Sequence, residues 1–234
     1  MKSILVLLLF VILTALMTFP LVVHATTAIA GPPGDGFIHL YEMFWFKRAI
    51  FDLHVWPLFN PEVFYPFGYN LALSHITPSN TLLMMPVVLA ADETAGFNAA
   101  VFLSFILSGF GAYLLVVYLT QRRWAGVVAG VLFAFSAYRF HNLGAGWLPN
   151  LGTQWLPFAL LYLDRLLMRR VSAARGGALA GFFFALVCLS SWYHVYIAGL
   201  AVAVFVLARG WPWRRRLLTR PVIGGGAVFC LVAA

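Results

Sequence analysis

Residues 97–119 read FNAAVFLSFILSGFGAYLLVVYL, an apolar run that contains no charged side chain. A helix needs about 20 mainly apolar residues to cross the hydrocarbon core of a bilayer, and this run is long enough. The whole chain has the same character, since 63% of its residues are hydrophobic and 9% are charged, against about 25% charged in a typical soluble domain. The composition excludes a water-soluble core and indicates an integral membrane protein.

Apolar runs recur on both sides of this segment. The first covers residues 4–23 and is longer than the roughly 7 to 15 apolar residues of a signal peptide, so we interpret it as a first transmembrane helix. A signal peptide cleaved near Ala25 is the alternative. The chain of 234 residues has room for about six or seven spanning helices, and the later runs cover residues 125–138, 151–168, 176–191, 193–208 and a stretch that begins at Val222.

These runs predict an all-α fold, a polytopic transmembrane helical bundle that forms a single domain over residues 1–234. The chain stops within an apolar run, so we expect an amino-terminal fragment of a longer protein. Residues 176–208 would form a helix of about 50 Å at 1.5 Å per residue, well beyond a bilayer core of about 30 Å. We therefore predict a tight helical hairpin there that turns within residues 190–194.

Residues 24–96 are rich in glycine, proline, aromatic and charged side chains, and we predict that they form a long external first loop. Within this loop, residues 37–53 have the pattern of an amphipathic helix, which would lie along the membrane interface. Residues 77–91 form a short apolar stretch that contains Pro86. This stretch can cross the membrane or only dip into it, and the partly inserted arrangement gives the stronger charge asymmetry.

The basic residues fall mainly on one side of the predicted bundle. Lysine and arginine mark cytoplasmic loops in membrane proteins, so the net charge of +8 is explained without a nucleic-acid partner. The histidines and all acids except Asp164 fall on the other side, which predicts an extracytoplasmic functional surface on a multi-pass plasma-membrane protein. The side assigned to the cytoplasm receives Lys2, Arg122, Arg123, Arg165, Arg169, Arg170, Arg175, Arg209, Arg214, Arg215, Arg216 and Arg220.

The external loop contains one carboxylate in a setting suited to catalysis. Asp35 lies between Gly34 and Gly36, and glycine allows the backbone to approach a ligand closely. A carboxylate there could act as a general base or hold a divalent cation; a turn aspartate is the alternative. His39 and Glu42 would share its face on a helix that starts near Gly36, unless they belong to a solvated polar face.

Further polar residues fall on the same side of the membrane. Arg139 departs from the positive-inside bias, which favours a specific partner such as a phosphate bound by its guanidinium group; snorkelling to lipid headgroups is the alternative. For Tyr193 and His194, at the end of the predicted turn, packing within the helical hairpin is the alternative role. The other candidates for binding on this side are His141, Gln154, Tyr193 and His194, with Trp147 as an interfacial anchor.

Several stretches then match a known pattern. They are Gly34-Asp35 after the first helix, HITP at 75–78, YLTQRRW at 118–124 and GVLFAFSAYR at 130–139. Their order resembles the amino-terminal half of GT-C-type membrane glycosyltransferases, the superfamily of protein mannosyltransferases and of lipid A aminoarabinose transferases. The segment from YPFG at 65–68 to Pro78-Ser79-Asn80 is also similar to YfhO-like membrane proteins.

The resemblance implies a function. Such enzymes transfer a sugar from a polyprenyl-phosphate donor, outside the cytoplasmic membrane, with a catalytic aspartate in the first external loop. Asp35 would be that base or a ligand of Mg²⁺ or Mn²⁺, Arg139 would bind the carrier phosphate, and His75 would join the substrate-binding residues. The acceptor is left open, as is inversion or retention. The chain departs from the family where Asp35-Gly36 replaces an aspartate-glutamate pair and where residues 190–194 lack the usual lysine.

Two functions of other classes remain open at this point. A noncatalytic membrane assembly or lipid-binding protein would keep the scaffold without activity. A lipid or sugar transporter or flippase would place ionisable residues near the membrane midplane and often has internal repeats, whereas here the charges lie at predicted helix ends. The lipid bilayer is an expected partner in all three cases.

Overall fold

The computed structural model describes residues 3–210 and 220–233 and is mostly helical. This confirms the all-α prediction. Lys2 and the arginines at 214–216, which the sequence assigns to the cytoplasmic side, lie outside the described residues. The α-helices are α1 Ser3–Met17, α2 Asp35–Lys47, α3 Pro78–Ala90, α4 Glu93–Thr120, α5 Arg123–Ala134, α6 Ala137–Gly144, α7 Leu156–Leu167, α8 Ala173–Cys188, α9 Trp192–Gly210 and α10 Arg220–Ala233.

Shorter elements connect these helices. A π-helical turn, Arg48–Asp52, extends α2, and strands β1 (Phe59–Asn60) and β2 (Tyr69–Asn70) form an antiparallel hairpin with Phe59 opposite Asn70. The 3-10 helices are Leu21–His24, Leu71–Leu73 and Leu148–Trp155.

Among the residues that the structure describes, two helices are long and apolar enough to cross a membrane. They are α4 over Glu93–Thr120, with a mean hydropathy of 2.3, and the Trp192–Arg209 part of α9, with a mean hydropathy of 1.5. Half of the apolar window of α4 is buried within the protein, but only 11% of that of α9. Leu200, Val204 and Leu207 form an exposed apolar face on α9. These features are consistent with association of the protein with a membrane.

Helix α4 is the centre of the packing. Phe10 of α1 fills a space between α4 and α5 that two glycines provide. A Cβ atom at Gly109 would lie 2.3 Å from Cδ1 of Phe10, and one at Gly130 would lie 2.4 Å from its Cζ. Small residues let neighbouring helices approach closely, so Phe10 is fully buried in spite of its size.

The first apolar run forms a shorter helix than the sequence predicts. Helix α1 ends at Met17, whereas the apolar run extends to residue 23. Pro20 has no N–H to donate and disfavours helical backbone at the residue before it, and Leu21–His24 continue as a 3-10 helix. At about 1.5 Å per residue, α1 extends over roughly 22 Å.

Two element boundaries differ from the sequence pattern. Helix α4 begins at Glu93, inside the segment 24–96 that is predicted to form an external loop, because the Asp92 side chain accepts the N–H of Ala95 at 2.7 Å and caps the helix. The run at residues 125–138 is not a single helix but α5 and α6. Ser136 has extended backbone at the break, a conformation typical of a residue that precedes the first turn of a helix.

Two predictions about the hairpin and the short apolar stretch can be compared directly with the structure. The break between two helices is confirmed, since α8 ends at Cys188 and α9 begins at Trp192. The turn lies at residues 189–191, so residues 192–194, which the prediction placed in the turn, already belong to α9. Ser190 in this turn contacts Ser79 at the start of α3, with the two Oγ atoms 2.8 Å apart. Helix α3 extends over about 20 Å at 1.5 Å per residue, short of a bilayer core of about 30 Å.

Candidate functional site

Asp35 is the first residue of α2 and its side chain is exposed. Its Oδ2 accepts a hydrogen bond from Nε1 of Trp147 at 2.6 Å. A carboxylate in the first turn of a helix is also favoured by the positive end of the helix dipole. The indole therefore fixes one carboxylate oxygen and leaves the other, Oδ1, open for a ligand.

Glycines bring these two residues together although they are far apart in the sequence. A Cβ atom at Gly36 would lie 3.6 Å from Cα of Gly146, and one at Gly31 would lie 2.8 Å from the carbonyl oxygen of Gly144. Gly31 and Gly146 also have positive φ angles, 102° and 72°, which glycine adopts without strain. The loop before α2 can therefore lie directly against the loop after α6, which contains Trp147.

His39 and Glu42 lie one turn apart on the buried side of α2. Their relative exposures are 3% and 4%, so a solvated polar face does not describe them. Glu42 Oε1 accepts the backbone N–H of Thr77 at 3.0 Å and the hydroxyl of Thr81 at 3.2 Å, and its Oε2 lies 3.6 Å from Nδ1 of His39. Glu42 thus holds the start of α3 against α2.

His75 connects this pair to the hairpin between α8 and α9. Its Nε2 lies 2.9 Å from Oγ of Ser191, and its ring packs edge-on against His39 and Tyr193, with centroid distances of 6.0 and 5.0 Å. Burial lowers the pKa of His75, the nearby His39 lowers it further, and the charge of Asp35 acts in the opposite direction. Burial therefore favours the neutral form of His75, whose ring lies between His39 on α2 and Tyr193 on α9.

Arg139 lies in the interior of the protein rather than at its surface. It is 1% exposed and donates to the Leu151 carbonyl at 3.1 Å, the Thr153 hydroxyl at 2.7 Å and Ser104 Oγ at 2.7 Å. Its guanidinium carbon lies 4.6 Å from the centroid of the Phe105 ring. In this conformation Arg139 joins α4, α6 and the Leu148–Trp155 segment and does not reach a lipid headgroup.

The other predicted binding residues divide into two groups. His141 is exposed and lies edge-on to Trp147, the partner of Asp35, with a centroid distance of 5.7 Å, while Tyr193 is exposed next to His75. Gln154 and His194 are 1% and 3% exposed. The amide of Gln154 contacts Asn80 at 3.1 Å, and neither ring nitrogen of His194 has a partner within the described residues.

Two cavities adjoin this group of side chains. A small pocket of about 380 Å³ is lined by His75, Tyr193 and Trp192 together with residues 72–74. It shares Ala72 and Trp192 with an apolar groove of about 520 Å³. The groove is lined mainly by aliphatic and aromatic side chains of α8, α9 and α10, including Phe184 and Val195, and by Leu58 and Ile76 from the segment between α2 and α3.

The residues around Asp35 do not form a metal cage. Within residues 3–210 and 220–233 there is no group of three or more histidine, cysteine, aspartate or glutamate side chains that could hold a metal ion. Glu42, the acid two helical turns from Asp35, is buried and already bonded to Thr77 and Thr81. Divalent cations such as Mg²⁺ and Mn²⁺ prefer several oxygen ligands, so Asp35 alone does not fit a protein-built site.

Several contacts in the site were not foreseen from the sequence. The sequence predicts Trp147 as an interfacial anchor and not as a partner of Asp35. The glycines of the two loops that meet there are the one sequence feature that points to this contact. Ser191 was expected only as part of the hairpin turn. Nothing in the local pattern indicates that Ser104 and Thr153 serve as partners of Arg139.

Comparisons of the chain with protein-family models, with curated proteins and with solved structures give no match.

Proposed function

We propose that this chain is part of a GT-C-type membrane glycosyltransferase that transfers a sugar from a polyprenyl-phosphate donor to an acceptor on the extracytoplasmic side of the plasma membrane. The observation that carries the proposal is the exposed carboxylate of Asp35, held at one oxygen by Trp147. A general base needs a fixed carboxylate with a free oxygen within hydrogen-bond reach of its substrate. Asp35 meets that requirement.

In the proposed reaction Asp35 acts on the acceptor. Its free Oδ1 takes the proton of the acceptor hydroxyl while the hydroxyl oxygen forms a bond to the anomeric carbon of the sugar. The bond from that carbon to the phosphate oxygen breaks, and the polyprenyl phosphate leaves with the electron pair. Trp147 holds the carboxylate in place for this step. Because Asp35 is the exposed carboxylate of the site and Glu42 is buried, the arrangement favours a single displacement with inversion.

Two neighbouring features suit the donor. The apolar groove can accommodate part of a hydrocarbon chain, and it continues into the pocket at His75 and Tyr193. His141, exposed beside Trp147, is a candidate donor to the phosphate, since an imidazole N–H can bond to phosphate oxygens. Arg139 acts as a positioning residue that holds α6, from which His141 projects.

The multi-pass topology is part of the same proposal. An apolar helix with most of its surface outside the protein interior, such as α9, is stable where lipid rather than water surrounds it. Helices α1, α3, α5, α7, α8, α9 and α10 would enter or cross the bilayer around α4. Helix α2 would lie along the external interface, which places Asp35 at the mouth of the bundle.

The test is transfer of radiolabelled sugar from polyprenyl-phosphate donors in membranes that contain the full-length protein. We expect Asp35→Asn to abolish transfer at equal expression, while Asp52→Asn, which changes an exposed aspartate outside the site, retains it. Trp147→Phe keeps an aromatic ring but removes the N–H donor, and should lower kcat without abolishing transfer. Equal activity of Asp35→Asn and the parent protein would remove Asp35 from the mechanism.

A noncatalytic lipid-binding protein is the second candidate, because the apolar groove alone could serve to bind lipid. Under that function, binding of a polyprenyl phosphate would be retained in Asp35→Asn, and no sugar would be transferred by the parent protein from any donor in a panel of polyprenyl-phosphate hexoses and pentoses.

A further inference from the structure

A third cavity lies at the other end of α4, remote from Asp35. It has a volume of about 760 Å³ and is formed where α4, α7 and α9 end, together with the turn that follows α7. Its polar lining consists of Tyr118, Gln121, Asp164, Arg165, Arg170 and Arg209. Nothing in the proposed glycosyltransferase reaction uses these residues. We call this space the arginine cavity.

Arg209 is fixed in the arginine cavity by a buried carboxylate. Its Nε donates to Asp164 Oδ1 at 2.6 Å and its Nη2 donates to Oδ2 at 3.2 Å. The two residues thus form a bidentate ion pair. Asp164 is 0% exposed, whereas the side chain of Arg209 is 42% exposed. A guanidinium has five N–H donors, so Arg209 retains donors for a ligand after it has neutralised Asp164.

The other two arginines of the cavity have no carboxylate partner. The guanidinium carbon of Arg165 lies 5.2 Å from the ring centroid of Tyr118 and 5.4 Å from that of Tyr162, and Arg170 is exposed. Neither forms a salt bridge within residues 3–210 and 220–233. Three arginines and one carboxylate give the lining a net charge of +2.

Arginines are often placed at the carboxyl ends of helices because the negative end of the helix dipole stabilises them. That effect is weak at this cavity. Each helix that ends here has a partial negative charge of about one half at its carboxyl terminus. However, α5 begins three residues after the end of α4, and α8 begins six residues after the end of α7, so their positive amino-terminal ends offset most of that charge. The arginines also line one shared cavity instead of pointing separately into solvent.

We propose that the arginine cavity binds a phosphate group, presented either by the headgroup of an anionic phospholipid or as free phosphate. Arginine binds phosphate oxygens through two parallel N–H bonds, and Arg165 and Arg209 are already held in place by the tyrosine rings and by Asp164. Basic pockets between helices at the cytoplasmic side of membrane proteins suit anionic headgroups. This inference does not depend on the chemistry proposed for Asp35.

The experiment measures binding of fluorescent phosphatidylglycerol and phosphatidylcholine to the purified full-length protein in a neutral detergent. We expect phosphatidylglycerol to bind more tightly. Arg165→Gln and Arg170→Gln should each weaken its binding about fivefold, as expected for loss of one arginine near an anionic lipid. The matched control is Arg175→Gln, which removes an exposed arginine outside the cavity and should change binding less than twofold.

Competition with inorganic phosphate distinguishes the two sources. Displacement of the lipid by millimolar phosphate in the parent protein, but not in Arg170→Gln, assigns the site to the phosphate group itself; tight lipid binding that phosphate does not displace assigns it to the lipid headgroup. Arg170 is exposed and its side chain has no partner within the described residues, so its variant should fold even where Arg165→Gln does not. Equal binding of the two lipids, or an equal loss in Arg175→Gln, would overturn the proposal.

Discussion

The two ends of the helical assembly hold their charged side chains in different ways. Around Asp35 the contacts join residues that are far apart in the sequence, as in Asp35 with Trp147 and His75 with Ser191. In the arginine cavity the charges lie in or just after the last turns of helices, and one ion pair, Asp164 with Arg209, joins α7 to α9. The positions of the polar side chains around Asp35 therefore depend on how loops pack together. Those in the arginine cavity depend on where the helices end.

The largest effect is expected from labelling the two ends in intact membranes. Single cysteines replace Gly34 and Arg170 in a background from which Cys188 and Cys230 have been removed. Gly34 is exposed and a Cβ there would meet no atom within 4 Å, and Arg170 is also exposed. A membrane-impermeant maleimide should label only Gly34→Cys from outside. Labelling of both positions from one side would contradict the proposed topology.

The next largest effect is expected at the ion pair of the arginine cavity. Arg209→Ala leaves the fully buried carboxylate of Asp164 without its partner, and should lower the free energy of unfolding by about 3 kcal/mol. Asp164→Asn leaves Arg209, which is 42% exposed and can be solvated by water, so its cost should be about 1 kcal/mol. Thermal unfolding in detergent measures both. Equal losses of stability in the two variants would contradict the difference in burial between Asp164 and Arg209.

A smaller loss is expected at the Asp35 end when Glu42 is changed. Glu42→Ala leaves the N–H of Thr77 without its acceptor in a buried position, which should lower the free energy of unfolding by about 1–3 kcal/mol. Glu62 forms an exposed ion pair with Arg48, and its replacement by alanine should cost at most about 1 kcal/mol. The two alanine variants can be compared by their melting temperatures. A Glu62→Ala loss as large as that of Glu42→Ala would contradict a supporting role for the buried carboxylate.

The same contrast explains which features could be predicted from the sequence. Helical segments were recognisable because long apolar runs such as residues 97–119 indicate helix directly, and the hairpin followed from the excess length of residues 176–208. Helix ends were less predictable, since α4 starts at Glu93 only because Asp92 caps it. The break after α5 involves Phe135 and Ser136, for which the apolar pattern gives no signal.

The candidate site was predictable as a set of residue types but not as an arrangement. Asp35 stood out because glycines flank it, and His39 and Glu42 followed from helical spacing. The burial of Glu42 depends on Thr77, and the internal position of Arg139 depends on Ser104 and Thr153. Such pairings between distant segments are set by tertiary packing and leave no local pattern.

The smallest effect is expected from protonation of His75. Because burial lowers the pKa of His75 below its ordinary value of 6.5, the unfolded chain binds a proton at this residue over a pH range in which the folded chain does not. Stability must then fall as the pH decreases from about 6.5 towards the lowered pKa, and below that value the loss levels off. His75→Gln should reduce this pH dependence of the melting temperature. The control is His24→Gln, a change at an exposed histidine outside the site. A pH dependence that is the same in His75→Gln and in the parent protein would show that His75 does not contribute to it.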